Sequence, residues 1–282
     1  MGLMDALGRG VDHLRISLTD KCNLDCFYCH KEGGESGGEE MRTEHVFNIL
    51  DEAKNAGITT IKFTGGEPLL RADLFDIIKH AKSLGFEDVG LTTNGTLLEN
   101  YAKGLKEAGL ERINIGCDSL TGILPKNMLR LKKGIDAAIK AGLDVKLNMV
   151  VLSGINDHNI QDLLDFCREK KINLQLIELI EVEPDAYKKY FYSLAGWEEY
   201  LAKKANRVEI RDIQRRKRFY FENVFVETVR PNKQFCERCN KLRVTADGKL
   251  RPCLMKNTKI VDFEDRSSIK LAVEMRDSYG YG

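Results

Sequence analysis

The chain has 282 residues, with 44 Lys and Arg against 43 Asp and Glu and 43% hydrophobic residues, an ordinary globular composition carrying a net charge of +1. Its longest largely apolar stretch, Leu147 to Leu152, is far short of the ~18 residues that span a bilayer, and the near-neutral charge argues against a surface made for nucleic acid. Neither a membrane segment nor a secretory signal is readable, so a cytoplasmic location is expected.

From Leu14 to Ile180 short apolar strands alternate with helix-length segments. Strands are predicted to begin at Leu14, Thr59, Val89, Arg112, Val145 and Leu174. The helices between and after them are predicted over Glu44–Asn55, Ala72–Ser83, Leu98–Ala108, Leu131–Ala141, Asn159–Lys171 and Gly196–Asn206. Gly57, Gly85, Gly109 and Gly142 stand where a left-handed residue closes a helix. Such βα units build a right-handed parallel sheet. A closed eight-unit barrel would need about two more units. The predicted fold is therefore α/β, an open, six-unit partial βα barrel of TIM type over residues 1–185. A smaller C-terminal segment, 186–282, would cover the open side. In that segment FYFENVFVETV reads as a strand pair and the basic run 203–218 as a solvated face, while the glycine run 33–38 looks like a mobile loop.

The informative excess is in cysteine, at positions 22, 26, 29, 117, 167, 236, 239 and 253. Two tight groups of three read as metal ligands rather than disulfides, and the singletons Cys117 and Cys167 as packing residues. Cys22, Cys26 and Cys29 form C-x3-C-x2-C on the loop after the first strand. Three thiolates can hold an iron–sulfur cluster and leave one iron open; the alternative is a zinc site completed by His30. Cys236, Cys239 and Cys253 form C-x2-C-x13-C. A zinc ribbon is the alternative here, but it would need a fourth ligand and no further Cys or His follows.

The first triad, with Tyr28 before its last cysteine, and FTGGEPLL (Phe63 to Leu70) at the end of the second strand resemble the radical S-adenosylmethionine (SAM) superfamily. The second triad in FCERCNKLRVTADGKLRPCL narrows the resemblance to the MoaA family, the GTP 3′,8-cyclases of molybdenum-cofactor biosynthesis. LRISLTDKCNLDCFYC, FTGGEPLLR, LTTNG, NIGCDSL and VKLNMVVLSGIND follow in family order, so the likeness covers almost the whole chain.

The resemblance implies two [4Fe–4S] clusters, one on each triad, with the open iron of the first taking SAM and that of the second the guanine of GTP. It implies abstraction of the ribose 3′-hydrogen, attack of C3′ on guanine C8 and formation of 3′,8-cyclo-7,8-dihydro-GTP. Tyr28 and Gly66 are carried over as SAM contacts, with Glu67 (toward the SAM ammonium) and Asn94 beside them. The GTP contacts carried over are Arg15, Lys62, Thr92, Lys146, Lys241, Leu242 and Arg243, of which Arg15, Lys241 and Arg243 are the expected catalytic residues. Charged residues on strands buried on both faces are rare unless paired, which independently singles out Arg15, Lys62 and Lys146. An electron donor such as ferredoxin or flavodoxin and a downstream cyclic pyranopterin monophosphate synthase are implied partners, and a homodimer is compatible with the family.

Several positions depart from the family pattern. Lys62 and Lys241 stand where Arg is usual, which keeps the charge and loses the bidentate fork. Gly116 replaces a Ser that meets SAM, Ile180 replaces a Met, and Tyr281 interrupts the usual terminal Gly-Gly. Two other readings remain: a radical SAM peptide-modifying enzyme with an auxiliary cluster, and a zinc-ribbon nucleic-acid-binding protein.

Overall fold

The computed structural model describes residues 2–32, 39–120, 128–181, 184–255 and 259–277; the glycine run at 33–38 and the C-terminal residues 278–282 lie outside the described residues. After a short N-terminal hairpin (Leu3–Met4 with Gly10–Val11), the strands are β1 His13–Ser17, β2 Thr60–Thr64, β3 Asp88–Thr93, β4 Arg112–Gly116, β5 Asp144–Val151 and β6 Asn173–Glu178. Each of the first five is followed by a helix: α1 Thr43–Asn55, α2 Leu74–Ser83, α3 Leu98–Glu107, α4 Met128–Lys140 and α5 Ile160–Lys170. The six strands pair in parallel and in chain order, the open six-unit barrel the periodicity predicts.

The C-terminal part contributes α6 Pro184–Tyr190 and α7 Ala195–Lys204, then β7 Arg207–Ile210, β8 Lys217–Phe221 and β9 Val224–Val229, then α8 Lys233–Glu237, β10 Lys241–Val244, β11 Leu250–Arg251 and α9 Arg266–Glu274. It adds to both edges of the same sheet. β9 pairs in parallel with β6 and β10 in parallel with β1, while β8, β7 and β11 add antiparallel. Among the described residues the sheet thus runs β11-β10-β1-β2-β3-β4-β5-β6-β9-β8-β7 and is not closed by strand pairing.

A strand presents alternate side chains to opposite faces. On the outer face Leu14, Ile16, Ile61, Phe63, Ile113, Ile115, Leu147, Met149, Leu174 and Leu242 are fully or almost fully buried against the helices, and Cys117 and Cys167 join that core. The inner face is different. Its residues are His13 and Arg15 on β1, Thr60 and Lys62 on β2, Arg112 and Asn114 on β4, Lys146 and Asn148 on β5, and Lys241 and Arg243 on β10. A closed βα barrel ordinarily fills this space with branched apolar side chains. Here polar and charged side chains stand on the inner face around a cavity of about 780 Å³, within the usual range for ligand sites.

Candidate active site

The first cysteine triad is placed by backbone pairing that continues beyond the strands. Leu18 N–H donates to Thr64 O at 2.9 Å, Gly66 N–H to Thr19 O at 2.7 Å and Glu67 N–H to Lys21 O at 2.7 Å. The chain of the GGE segment therefore runs against the residues leading directly into Cys22. Both glycines are required by that approach: a Cβ on Gly65 would stand 2.6 Å from Thr19 O, and one on Gly66 2.2 Å from Lys21 O. The loop is then tied down by Asn94, whose amide donates to Asn23 Oδ1 at 2.8 Å and lies 3.8 Å from Cys22 Sγ. Tyr28 donates its hydroxyl to Asp118. Burial, with Asp118 and Cys26 nearby, pushes the Tyr28 phenol far above its usual range, so it stays a donor.

The second triad is framed by arginines. Asn232 caps α8, accepting from Phe235 N–H at 3.0 Å, and α8 carries Cys236. Arg9 donates to the carbonyl of Cys236 at 2.8 Å, Arg276 to that of Cys239 at 2.5 Å and Arg251 to that of Cys253 at 3.2 Å. Burial alone would raise the Cys239 thiol, but Arg243, Arg276 and Lys241 outweigh it and bring it below its usual value, favouring the thiolate that binds metal.

All six cysteines are free thiols and all six line the one cavity. Among the described residues no three Cys, His, Asp or Glu side chains close on a single-ion position. A four-iron cluster does not ask for one, because each thiolate ligates its own iron. Free thiols on three-point loops, a cradle too tight for any Cβ beside the first triad and a cationic frame around the second fit iron–sulfur clusters.

Between the triads lies a field of cations. Arg15 grips Glu32 with two hydrogen bonds of 2.5 Å, and Arg243 reaches the same carboxylate at 3.1 Å. Burial would raise the Glu32 carboxyl, but Arg15, His30 and Arg243 together hold it well below the usual carboxylate range. Lys62 donates to Asn114 Oδ1 at 2.6 Å, Lys241 to Gln214 Oε1 at 2.6 Å, and Lys146 lies 3.4 Å from Glu227. Burial, and then the neighbouring arginines, push Lys62 and Lys241 well below an ordinary lysine; Lys146, buried and flanked by Arg216, Arg218 and Arg112, is brought down to about 8 despite Glu227.

Of the residues singled out in the sequence, the six cysteines, Tyr28, Gly66, Asn94, Arg15, Lys62, Thr92, Lys146, Lys241 and Arg243 meet on this wall, as do Gly116 and Ile180. Two do not. Glu67 is fully buried away from the cavity, and its carboxylate accepts from Leu69 N–H at 3.0 Å, Thr93 Oγ1 at 2.7 Å and Asn94 N–H at 2.7 Å, bonds that anchor the loop. Leu242 points into the outer core with no exposed surface, because the alternation that turns Lys241 and Arg243 inward turns it outward.

The basic run also differs from a solvated face. Arg211, Arg216 and Arg218 turn into the cavity and converge on Glu227. Sequence reasoning missed these, along with Glu32, Gln214, Asn114 and the arginine frame. Their available signal was the alternation of basic and apolar residues around Phe219, which puts Arg218 on the face of β8 opposite to Phe219, with Arg216 just before the strand.

Residues 16–167 match the family model described as the Radical SAM superfamily, and residues 172–270 match Molybdenum Cofactor Synthesis C. A probable GTP 3′,8-cyclase of Methanosarcina mazei is 44% identical, over 98% of this chain and 90% of its own length. One from Methanothermobacter thermautotrophicus is 42% identical, over 94% and 91%. Among solved structures, Streptococcus suis SuiB bound to S-adenosylmethionine superposes with a TM-score of 0.72 at 17% identity, covering 95% of this chain and 66% of SuiB, a likeness of fold. With the cysteine triads, the cradle and the cation field in place, these matches identify the chain as a member of the GTP 3′,8-cyclase family of the radical SAM superfamily.

Proposed function

We propose that the chain converts GTP to 3′,8-cyclo-7,8-dihydro-GTP, the first step of molybdenum-cofactor biosynthesis. The observation that carries this reading is the single cavity shared by both cysteine triads and a cation field matched to a triphosphate. Cys22, Cys26 and Cys29 would hold one [4Fe–4S] cluster and Cys236, Cys239 and Cys253 the other. When bound, the clusters and SAM supply the one-electron chemistry that makes and later quenches a carbon-centred radical.

The chain's own residues bind, orient and shield. Arg15, Lys62, Lys146, Lys241 and Arg243 neutralise the phosphates, with Thr92 beside them, and Arg15, Lys241 and Arg243 hold the nucleotide in register for reaction. Tyr28, Gly66 and Asn94 border SAM. Glu67 acts through Asn94 and Thr93, and Leu242 through the orientation of its two neighbours. The apolar outer core and the C-terminal strands at both sheet edges exclude water from the space where a radical must survive.

The working unit is a barrel over residues 1–185 and a GTP-binding segment over 186–282. We further assign it to the cytoplasm, with an electron donor such as ferredoxin or flavodoxin and with its product passed to cyclic pyranopterin monophosphate synthase; a homodimer is compatible with this reading. Among the described residues no helix is long and apolar enough to cross a membrane. The test is anaerobic incubation of reconstituted protein with SAM, dithionite and GTP. Both 5′-deoxyadenosine and cyclised GTP are expected; 5′-deoxyadenosine alone would overturn the substrate.

A further inference from the structure

Two distant segments of the chain, the turn of the N-terminal hairpin and the stretch after α9, meet at the second cysteine triad. Gly8 closes the turn in the left-handed region at φ +74°, which brings Arg9 back beside Asp5. Asp5 Oδ1 accepts from Leu7 N–H at 3.0 Å and Arg9 N–H at 2.9 Å, while Oδ2 takes the Arg9 guanidinium at 2.6 Å and that of Arg276 at 3.4 Å. The Asp5 and Arg276 side chains are almost completely buried in this contact.

Both arginines direct their other donors at the triad. Arg9 Nη1 donates to Cys236 O at 2.8 Å and its Nη2 to Arg276 O at 3.2 Å, and Arg276 Nη2 donates to Cys239 O at 2.5 Å. From β11, Arg251 donates to Cys253 O at 3.2 Å and to Leu254 O at 2.7 Å. Each ligand cysteine thus has its main-chain carbonyl held by a different arginine. As an ion cluster by itself the arrangement is poor, because Arg9 and Arg276 share one buried carboxylate and surplus positive charge is costly to desolvate. An anionic group on the triad removes that surplus. A cluster held by three thiolates is such a group, and it gains one more negative charge when it takes an electron. Burial opposes the added charge and nearby cations favour it; at Cys239 the cations prevail, since the thiol lies below its usual value despite burial.

We infer that Asp5 is a positioning residue for the second cluster: by fixing Arg9 and Arg276 on the Cys236 and Cys239 carbonyls, it sets the reduction potential at which that cluster takes an electron. Arg276 raises this potential and Asp5, which stands behind the arginines and does not line the cavity, limits the rise. That the triad holds a [4Fe–4S] cluster rests on the proposed function; the clamp rests on the contacts of Asp5, Arg9 and Arg276.

The test is an anaerobic redox titration of the reconstituted full chain with dithionite, read by electron paramagnetic resonance, with iron measured per chain. SAM alters the signal of the first cluster, which identifies it and makes it the internal reference. Arg276→Gln removes a positive charge beside Cys239. It should move the second cluster's reduced-to-oxidised ratio at a set potential about tenfold toward oxidised, about 59 mV lower for a one-electron couple. Asp5→Asn keeps the shape and removes the negative charge, so it should shift the same cluster the opposite way and by less. Arg276→Lys keeps the charge and loses the fork that reaches Asp5 and Cys239 together. It should titrate close to wild type and release the second cluster's iron to a chelator severalfold faster. The first cluster should hold its potential in all three variants. General damage to the fold would move Arg276→Gln and Asp5→Asn in the same direction, so opposite shifts are the decisive result; should Arg276→Gln not fold, the sign of the Asp5→Asn shift decides. The inference is overturned if these two variants titrate as wild type, if they shift together, or if the first cluster shifts equally. Wild type that takes up only one cluster would overturn it and the proposed function together. Cyclised GTP with unshifted potentials would overturn this inference alone, and opposite shifts without cyclised GTP would overturn the cyclase and leave the clamp standing.

Discussion

Gly66 has no room for a side chain, since a Cβ there would meet Lys21 O at 2.2 Å and Asp20 O at 2.6 Å. Both are backbone atoms that cannot rotate aside, so Gly66→Ala must push the segment entering Cys22 away from β2. The consequence falls on the first cluster site and leaves the outer core untouched. Gly66→Ala is expected to fold, to lose about an order of magnitude or more in SAM affinity, and to yield no 5′-deoxyadenosine in the anaerobic assay, while the second triad still takes up iron. Gly196→Ala is the matched control. No heavy atom stands within 4 Å of its new methyl, and removing glycine from α7 should stabilise the fold by up to ~1 kcal/mol. Normal SAM binding in Gly66→Ala would refute the cradle. Gly65 follows the same logic at φ +150°, where a side chain is disfavoured by the backbone as well as by Thr19 O.

At the scale of elements, α9 ties the C-terminal part back to the sheet. Asp265 caps it, accepting from Ser267 N–H at 2.7 Å, while Ser268 Oγ accepts from the Asp265 N–H at 3.5 Å. Two residues past the helix end at Glu274, Arg276 holds the Cys239 carbonyl and pairs with Asp5 at 3.4 Å. Asp265→Ala removes the cap and should cost about 1 kcal/mol, a fall of ~2–4 °C in melting temperature, without loss of iron from the first triad. A cost below a few tenths of a kcal/mol would show that the cap is not supporting α9. The elements were legible wherever one face is apolar: β1 to β6 and their helices differ from the sequence-based bounds by a few residues at most, because alternating and 3.6-residue patterns report burial directly. Helix α6 was not foreseen, and the reason is physical, for none of its residues is buried and no periodic stripe is written into it. The cations at the start of β8 were hidden differently. In a run as basic as 203–218 the inward-facing Arg216 and Arg218 cannot be told by composition from Lys203 and Lys204, which are exposed. Only pairing β8 to β9 brings them onto Glu227, a long-range fact that no local pattern contains.

Over the whole molecule the net charge of +1 conceals a strong separation of charge, since among the described residues the cavity wall carries eleven Arg and Lys against five Asp and Glu. Burial first, and the crowded arginines next, depress Lys62 and Lys241 well below an ordinary lysine and bring Lys146 to about 8. For the empty protein the sign follows from linkage. A lysine whose folded value lies below its unfolded value of about 10.4 weakens the fold in full below the folded value, and that penalty fades as pH rises from the folded value to the unfolded one. A bound polyanion reverses the shift, because a phosphate beside the ammonium favours its charged form. Binding of GTP near pH 7.5 should therefore take up protons from the buffer. Titration calorimetry in buffers of different ionisation enthalpy checks this: the observed enthalpy should change with buffer in the sense of net uptake, and the dependence should fade as pH falls below the depressed values, where the lysines are charged before the ligand arrives. Lys146→Arg should remove the part of the uptake that sets in near pH 8 and grows above it, since arginine is protonated there with or without the ligand. A buffer-independent enthalpy at pH 7.5 would mean that the lysines are already charged before the ligand arrives, with Glu32 on the cavity wall and Glu227 behind it neutralising the field.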